Sequence, residues 1–168
     1  MLQIKPMTIK DEAQVMEMVR DFYHSDAVDH VVGDQVLHRT FLDAVGQEPS
    51  LWGLVLWDGG QAVGFSYLTS FYACECGGKT LMIEEIYLKE SCRGKGFGRQ
   101  FFRWLFQEYP QVKRFRLEVT KANAGAAKLY ASLGFVPLEY NQMIFGSGIA
   151  EKSVSLAKPG GFFAKAKH

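Results

Sequence analysis

The chain has 168 residues and a formal net charge of +1, and 48% of its residues are hydrophobic against 22% charged. These values predict one globular domain with a sizeable core, and they exclude a disordered chain, a collagen-like repeat and a coiled coil. No run approaches the roughly 18 apolar residues of a membrane span, and the N-terminus lacks the features of a signal peptide. With an odd number of cysteines, we expect reduced thiols, a cytoplasmic location and no membrane partner.

Charge is distributed unevenly along the chain. Residues 1–50 have a net charge of −5, residues 51–92 of −3, residues 93–121 of +6 and residues 122–168 of +3. The near-neutral total argues against a nucleic-acid partner. An acidic first half and a basic third quarter suit a protein that holds a cationic and an anionic ligand in different places, although charges that only solvate the surface would give the same counts.

Hydrophobic periodicity predicts alternating strands and helices without an internal repeat. The first half is predicted to contain a strand, two helices and two strands joined by a hairpin turn at Asp58–Gln61. The first strand is predicted at Leu2–Met7, and Thr8 begins the first helix. The second helix is predicted at Asp34–Val45, and the paired strands at Leu51–Trp57 and Ala62–Tyr72.

The second half is predicted to continue the alternation. Its elements are a strand at Thr80–Lys89, an aromatic-faced helix that Pro110 ends, a strand at Lys113–Thr120, a helix at Ala124–Leu133, and strands at Phe135–Glu139 and Gln142–Phe145. The order β-α-α-β-β-β-α-β-α-β-β predicts an α/β fold whose mixed sheet has a parallel step in its middle. Residues 1–146 are interpreted as one domain, and residues 147–168 as a loose or partner-dependent tail.

The most informative stretch runs from Arg93 to Arg99, with sequence Arg-Gly-Lys-Gly-Phe-Gly-Arg. Its three glycines permit unusual backbone dihedrals and close approach of a ligand, and they precede a helix N-terminus, which favours an anion. Basic residues add positive charge at the same place, so we expect a phosphate-bearing ligand. The spacing fits neither the dinucleotide fingerprint nor the nucleoside-triphosphate loop.

Together with its flanks, this stretch resembles the GNAT superfamily of acyl-CoA N-acyltransferases. Arg93, Gly96 and Gly98 match the family's phosphate motif. Further along the chain, Leu117-Glu118-Val119, Asn123, Leu129-Tyr130 and Gly134-Phe135 match its second signature. The resemblance covers roughly residues 62–145. It implies a splayed, mixed sheet, acetyl-CoA as donor and no metal.

The resemblance also implies roles for individual residues. The backbone amides of the segment Arg93, Gly94, Lys95, Gly96, Phe97, Gly98 and Arg99 are expected to hold the pyrophosphate of coenzyme A. Backbone groups of Ile86, Tyr87 and Leu88 are expected to pair with the pantetheine arm and the acetyl carbonyl, and Asn123 is expected to bond the pantetheine. Tyr130 matches the tyrosine that protonates the departing thiolate, a role that suits a phenol with a pKa of about 10.

An acceptor amine must attack as the free base, and a carboxylate near the attack point makes this feasible. The apolar strand before the glycine-rich stretch contains two, Glu84 and Glu85. Strand periodicity sends them to opposite faces, so one is expected to reach the substrate. The resemblance to polyamine acetyltransferases favours Glu84 as the base, with Glu85 in reserve because a bulge would change the parity. A structural ion pair with an arginine is the other interpretation of either residue.

The acceptor is expected to lie near the segment that links the first two helices, where Tyr23 and Asp26 are candidates together with Glu85. A solvated loop is the alternative for this segment. Cys74, Cys76 and the histidines fit no familiar zinc site, so no metal is expected.

These observations predict an acetyl-CoA-dependent N-acetyltransferase whose acceptor is a primary amine of a small molecule. Two alternatives stay open: acetylation of a protein lysine or N-terminus, and a non-catalytic acyl-CoA-binding module. A homodimer, to which the tail with Phe162 and Phe163 would contribute, is also left open.

Overall fold

The computed structural model describes residues 2–25, 27–28 and 31–143. Within these residues there are five strands, β1 Gln3–Pro6, β2 Leu51–Asp58, β3 Gln61–Ala73, β4 Gly78–Leu88 and β5 Arg114–Leu117. The same residues form four α-helices, α1 Glu12–Tyr23, α2 Asp34–Val45, α3 Phe97–Glu108 and α4 Ala124–Ser132. Short 3-10 turns lie at Ile9–Asp11, Cys74–Cys76 and Glu90–Cys92.

The sheet has the strand order β1-β2-β3-β4-β5. The first four strands form an antiparallel meander, and β5 is parallel to β4. The β2–β3 turn forms where the hairpin was predicted, and both of its glycines have positive φ, 56° at Gly59 and 81° at Gly60. The predicted α/β fold with a mixed sheet is confirmed. The parallel step was predicted in the middle of the sheet, but it lies between the last two strands of the described sheet.

Helices cover the two faces of the sheet. Because residues of a strand alternate between faces, Val55 of β2 packs with α1 and α2, whereas Leu54 and Leu56 pack with α3 and α4. The core on the side of α3 and α4 is rich in aromatic rings. There, Phe102 contacts Phe106, Tyr130 and Phe135 at centroid distances of 5.5 to 6.1 Å. These contacts fix α3 and α4 beside the parallel strands.

The prediction of a strand over Phe135–Glu139 is wrong, since these residues have no regular secondary structure. Phe135 is anchored among the aromatic rings of α3 and α4, but Val136 is 83% exposed and Pro137 has no N–H to donate to a strand partner. Of the strand predicted over Gln142–Phe145, residues 142 and 143 are irregular and the others lie outside the described residues.

The elements above belong to one compact unit, Met1–Pro137. The predicted domain boundary at residue 146 and the predicted tail, residues 147–168, lie outside the described residues.

Candidate active site

A cleft opens where the two parallel strands part. β4 and β5 pair over four residues only, and the last pair is Ile83 with Leu117. Beyond that pair lies a cavity of about 630 Å³ between β4 and the segment that follows β5. The end of α1, Ala27 and Val28 close one side, and Asn123 and Tyr130 close another. The cleft therefore lies between the last two strands of the described sheet and is accessible to a ligand along the unpaired part of β4.

A β-bulge at Glu84 shapes the wall of this cleft. In the β3–β4 ladder, Tyr67 pairs with Glu85 and Leu68 with Ile83, which leaves Glu84 as the extra residue. The bulge changes the parity of the strand, because Ile83 packs in the core of α3 and α4 whereas Tyr87 packs in the core of α1 and α2. Both Glu84 and Glu85 consequently line the cleft.

Glu85 lies deep in the cleft wall. Its Oε1 accepts a hydrogen bond of 2.5 Å from the Tyr23 hydroxyl, and its Oε2 is buried without a hydrogen-bond partner among the described residues. Burial raises the pKa of Glu85 to about 7, and the neighbouring charge of Glu84 acts in the same direction, while the bond from Tyr23 opposes them. A carboxyl with such a pKa exchanges protons near neutral pH, as a general base must.

Glu84 has a different environment. It is exposed at the rim, and its Oε1 accepts a hydrogen bond from the Thr69 hydroxyl on β3. The two carboxyl groups that are adjacent in sequence therefore differ in solvation, Glu84 being in contact with water and Glu85 withdrawn from it.

Tyr130 lies on the opposite wall. It is 9% exposed, lines the cleft and contacts Phe102 and Phe135 with its ring. Burial raises its pKa to about 12, so the phenol keeps its proton at any physiological pH. Asn123, also in the cleft, caps α4 by accepting a hydrogen bond of 3.2 Å from the Ala126 amide, which leaves its Nδ2 group to donate to a ligand.

The glycine-rich segment follows the end of β4 and leads into α3. Gly94 and Gly96 have φ values of 74° and 81°, and Gly96 is the N-cap of the helix. The first amides of α3, from Phe97 to Arg99, have no acceptor within the helix. Arg93 ties the segment to β4 by donating from Nε to the Leu88 carbonyl at 3.0 Å. Amides without an intrahelical acceptor, next to a left-handed backbone, could hold an anion at this helix start.

Gly98 has a structural role that the sequence interpretation missed. It is buried, and a Cβ at this position would lie 2.8 Å from Cδ2 of Leu129 on α4. Substitution here would therefore alter the packing of α3 on α4. A Gly98 variant would therefore report on the packing of the two helices as well as on ligand binding.

The other predicted residues fall as follows. Tyr23 and Ile86 line the cleft, and Tyr87 and Leu88 continue the same strand. The Leu88 carbonyl accepts a hydrogen bond from Nε of Arg93. Asp26 lies outside the described residues. No group of three or more His, Cys, Asp or Glu residues that could hold a metal ion occurs in the described part of the chain.

Sequence reasoning did not single out Tyr67. Its side chain is 1% exposed, its hydroxyl has no hydrogen-bond partner in the described part of the chain, and the charge of Glu85 helps to raise its pKa. The only signal in the sequence was a phenol within an otherwise apolar central strand.

None of the described helices is both long enough and apolar enough to cross a membrane.

Solved acetyltransferase structures share this fold. A possible acetyltransferase from Clostridium difficile 630 superposes with a TM-score of 0.73 at 18% identity, covering 86% of this chain and 97% of that chain. A ribosomal-protein-alanine N-acetyltransferase from Brucella melitensis biovar Abortus 2308 gives 0.70 at 16% identity, covering 86% and 99%. AAC(6')-Iy in complex with the bisubstrate analog CoA-S-monomethyl-acetylneamine gives 0.70 at 14% identity, covering 87% and 98%.

Residues 13–135 match the model of the acetyltransferase (GNAT) family. The chain therefore belongs to this family and is an acetyl-CoA-dependent acetyltransferase. A comparison with curated proteins finds no significant match.

Gly96→Val provides a test of the glycine-rich segment as the pyrophosphate site. A side chain at this exposed helix start would obstruct the amides, and we expect the Michaelis constant for acetyl-CoA to rise by one to two orders of magnitude, about 1.4–2.7 kcal/mol. Gly60→Val is a matched control, since Gly60 has the same φ of 81° but lies in the β2–β3 hairpin. Steady-state kinetics with varied acetyl-CoA measure both. Equal Michaelis constants in the two folded variants would refute the assignment.

Proposed function

We propose that the protein transfers the acetyl group of acetyl-CoA directly to a primary amine of a small, cationic molecule. The observation that carries the proposal is the largely buried carboxyl of Glu85 in a cleft between the parted strands. Among the described residues, three carboxylates, those of Glu84, Glu85 and Glu118, line this cleft against one ammonium, that of Lys121. This excess of negative charge favours a cationic acceptor.

Glu85 is proposed as the general base, in preference to the exposed Glu84. A primary ammonium with a pKa of about 10.4 is deprotonated in fewer than one molecule in a thousand at neutral pH. A base with a pKa of about 7 is a better match for this proton than an ordinary glutamate, and it is still about half ionised at neutral pH. The proton passes from the ammonium to Glu85, directly or through a water, and the free amine is then the nucleophile.

The chemistry is a single displacement within a ternary complex. The amine lone pair forms the C–N bond to the acetyl carbonyl carbon, the tetrahedral intermediate collapses, and the C–S bond breaks. Tyr130 donates its proton to the departing thiolate of coenzyme A, which is released as the thiol. The resulting phenolate takes the second proton of the attacking nitrogen as the neutral amide forms, directly or through a water, and Glu85 later releases the first proton to solvent. The amides from Gly94 to Arg99 are proposed to bind the pyrophosphate, and the unpaired edge of β4 at Ile86–Leu88 and Asn123 to bind the pantetheine arm.

Release of free thiol from acetyl-CoA across a panel of acceptors tests this function. The panel contains diamines and polyamines, amino acids, aminoglycosides, and peptides with either a free N-terminus or an internal lysine. We expect thiol release with small cationic amines. Transfer to peptides alone would favour a protein acceptor, and binding of acetyl-CoA with no thiol release across the panel would favour a binding module.

A further inference from the structure

The two carboxylate oxygens of Glu85 differ in their surroundings. Oε1 accepts the hydrogen bond from the Tyr23 hydroxyl at 2.5 Å. Oε2 is buried and has no hydrogen-bond partner within the described residues. A buried carboxylate oxygen without a donor is unfavourable, so Oε2 is the oxygen that gains most from a proton or from an ammonium donor.

Tyr23 is held in place independently of Glu85. It is the last residue of α1, and its ring meets that of Phe22 edge to face at a centroid distance of 5.3 Å. Phe22 in turn packs edge to face against Phe65 of β3 and Tyr87 of β4 at 6.1 and 6.4 Å. The hydroxyl of Tyr23 is thus presented to the strand by a packed aromatic group, and no ligand is needed to orient it.

We propose that Tyr23 is a positioning residue, which holds Glu85 by Oε1 and leaves Oε2 as the oxygen that takes the proton of the acceptor. This inference rests on the proposed function, in which Glu85 is the base. It assigns Tyr23 a role in keeping Glu85 ionised at neutral pH with Oε2 available, beyond its place in the lining of the acceptor cleft.

The proposal has a consequence for the pH dependence of the reaction. The titratable groups near Glu85 come from several elements: Tyr23 of α1, Tyr67 of β3, Glu84 of β4, and, across the cleft, Glu118, Lys121 and Tyr130. Among the contributions to the pKa of Glu85, the hydrogen bond from Tyr23 lowers it, whereas burial and Glu84 raise it. Loss of this hydroxyl therefore raises the pKa of Glu85 above about 7 and moves the acidic limb of the pH–rate profile to higher pH.

The experiment compares Tyr23→Phe with Tyr23→Ala. Phe keeps the ring that packs against Phe22 and loses only the donor, whereas Ala loses both. We expect the acidic limb of kcat to move up by roughly one pH unit in both variants, the worth of one charge-assisted hydrogen bond. In Tyr23→Phe, the rate at high pH and the Michaelis constant of the amine should stay within about threefold of wild type. Tyr72→Phe, at a tyrosine 66% exposed near the far end of β3, is the control.

Each outcome bears on the proposal. An unshifted limb in folded Tyr23→Phe, with a shift only in Tyr23→Ala, would assign Tyr23 a packing role and overturn it. A raised Michaelis constant with an unshifted limb would do the same and leave Tyr23 as an acceptor contact. NMR titration of the Glu85 carboxyl in Tyr23→Phe should show the same upward shift without any substrate. A full neutral rate in Glu85→Gln would instead refute the base, and with it the proposed function's mechanism.

Discussion

Replacing Glu85 by glutamine is expected to lower kcat at neutral pH by about two to four orders of magnitude, the usual contribution of a general base. Glutamine keeps the shape of the side chain, and its carbonyl can still accept the bond from Tyr23, but it cannot take a proton. The pH–rate profile should lose its acidic limb near pH 7, where wild-type Glu85 titrates. Activity should partly recover at high pH, because the amine then deprotonates in solvent.

Glu84→Gln is the matched control for this experiment. It makes the same chemical change one residue earlier in the same strand, at a carboxylate that is exposed and bonded to Thr69. We expect less than a tenfold change in kcat and an acidic limb displaced slightly to lower pH, because the charge of Glu84 helps to raise the pKa of Glu85. The opposite ranking of the two variants would make Glu84 the base. Full rates in both would mean that solvent or a backbone carbonyl removes the proton.

Tyr130→Phe is expected to lower kcat by about two orders of magnitude while acetyl-CoA binding stays nearly unchanged. The variant keeps the ring contacts with Phe102 and Phe135 and removes the proton that the departing thiolate would receive. Thiol release measures kcat, and calorimetry measures the affinity for acetyl-CoA, so the effects of the variant on catalysis and on binding are determined separately. Because Glu85 and Tyr130 act in one displacement, the effects of their variants need not add.

Tyr109→Phe is the control for loss of a partly buried hydroxyl. Tyr109 lies just after α3 and accepts a hydrogen bond of 3.1 Å from Nε1 of Trp52, outside the cleft. Its variant should retain the wild-type rate. An acetyl thioester whose thiol is more acidic than that of coenzyme A supplies a second check. Its thiolate leaves with less need of a proton, so the difference in kcat between Tyr130→Phe and wild type should become smaller with this donor. An unchanged gap, or an unchanged kcat in Tyr130→Phe, would rule out the acid role.

Most helices and strands could be predicted because their signals are local. The turn residues Asp58–Gln61 specify a hairpin wherever they lie in a fold, and α2 forms over the range Asp34–Val45 that its periodicity indicates. The unusual backbone of the glycine-rich segment could also be predicted, since glycine has no Cβ and adopts the positive φ seen at Gly94 and Gly96 without strain.

What the sequence did not reveal depends on pairing between distant residues. The bulge at Glu84 arises from the register of β4 against β3, so alternation along β4 alone gave the wrong parity for one of the two glutamates. The sequence predicted a strand to Thr120, yet β5 ends at Leu117, because residues 118–121 line the cleft and have left the ladder. The contact between Gly98 and Leu129 likewise requires knowledge of how two helices pack.

Ionisation of the buried carboxyl of Glu85, which the proposed reaction requires, lowers the free energy of unfolding. An ordinary glutamate titrates near 4.5, whereas the folded protein holds this one near 7. Between these pH values the unfolded chain releases a proton that the folded chain retains, so the free energy of unfolding falls as pH rises through this window, by up to about 3 kcal/mol, and stays lower above it. This is a large part of the stability of a typical domain, about 5–15 kcal/mol. The contribution of Glu85 to stability is therefore most favourable in mild acid, where the proposed base is protonated and inactive, and it is least favourable where that base is ionised and able to act.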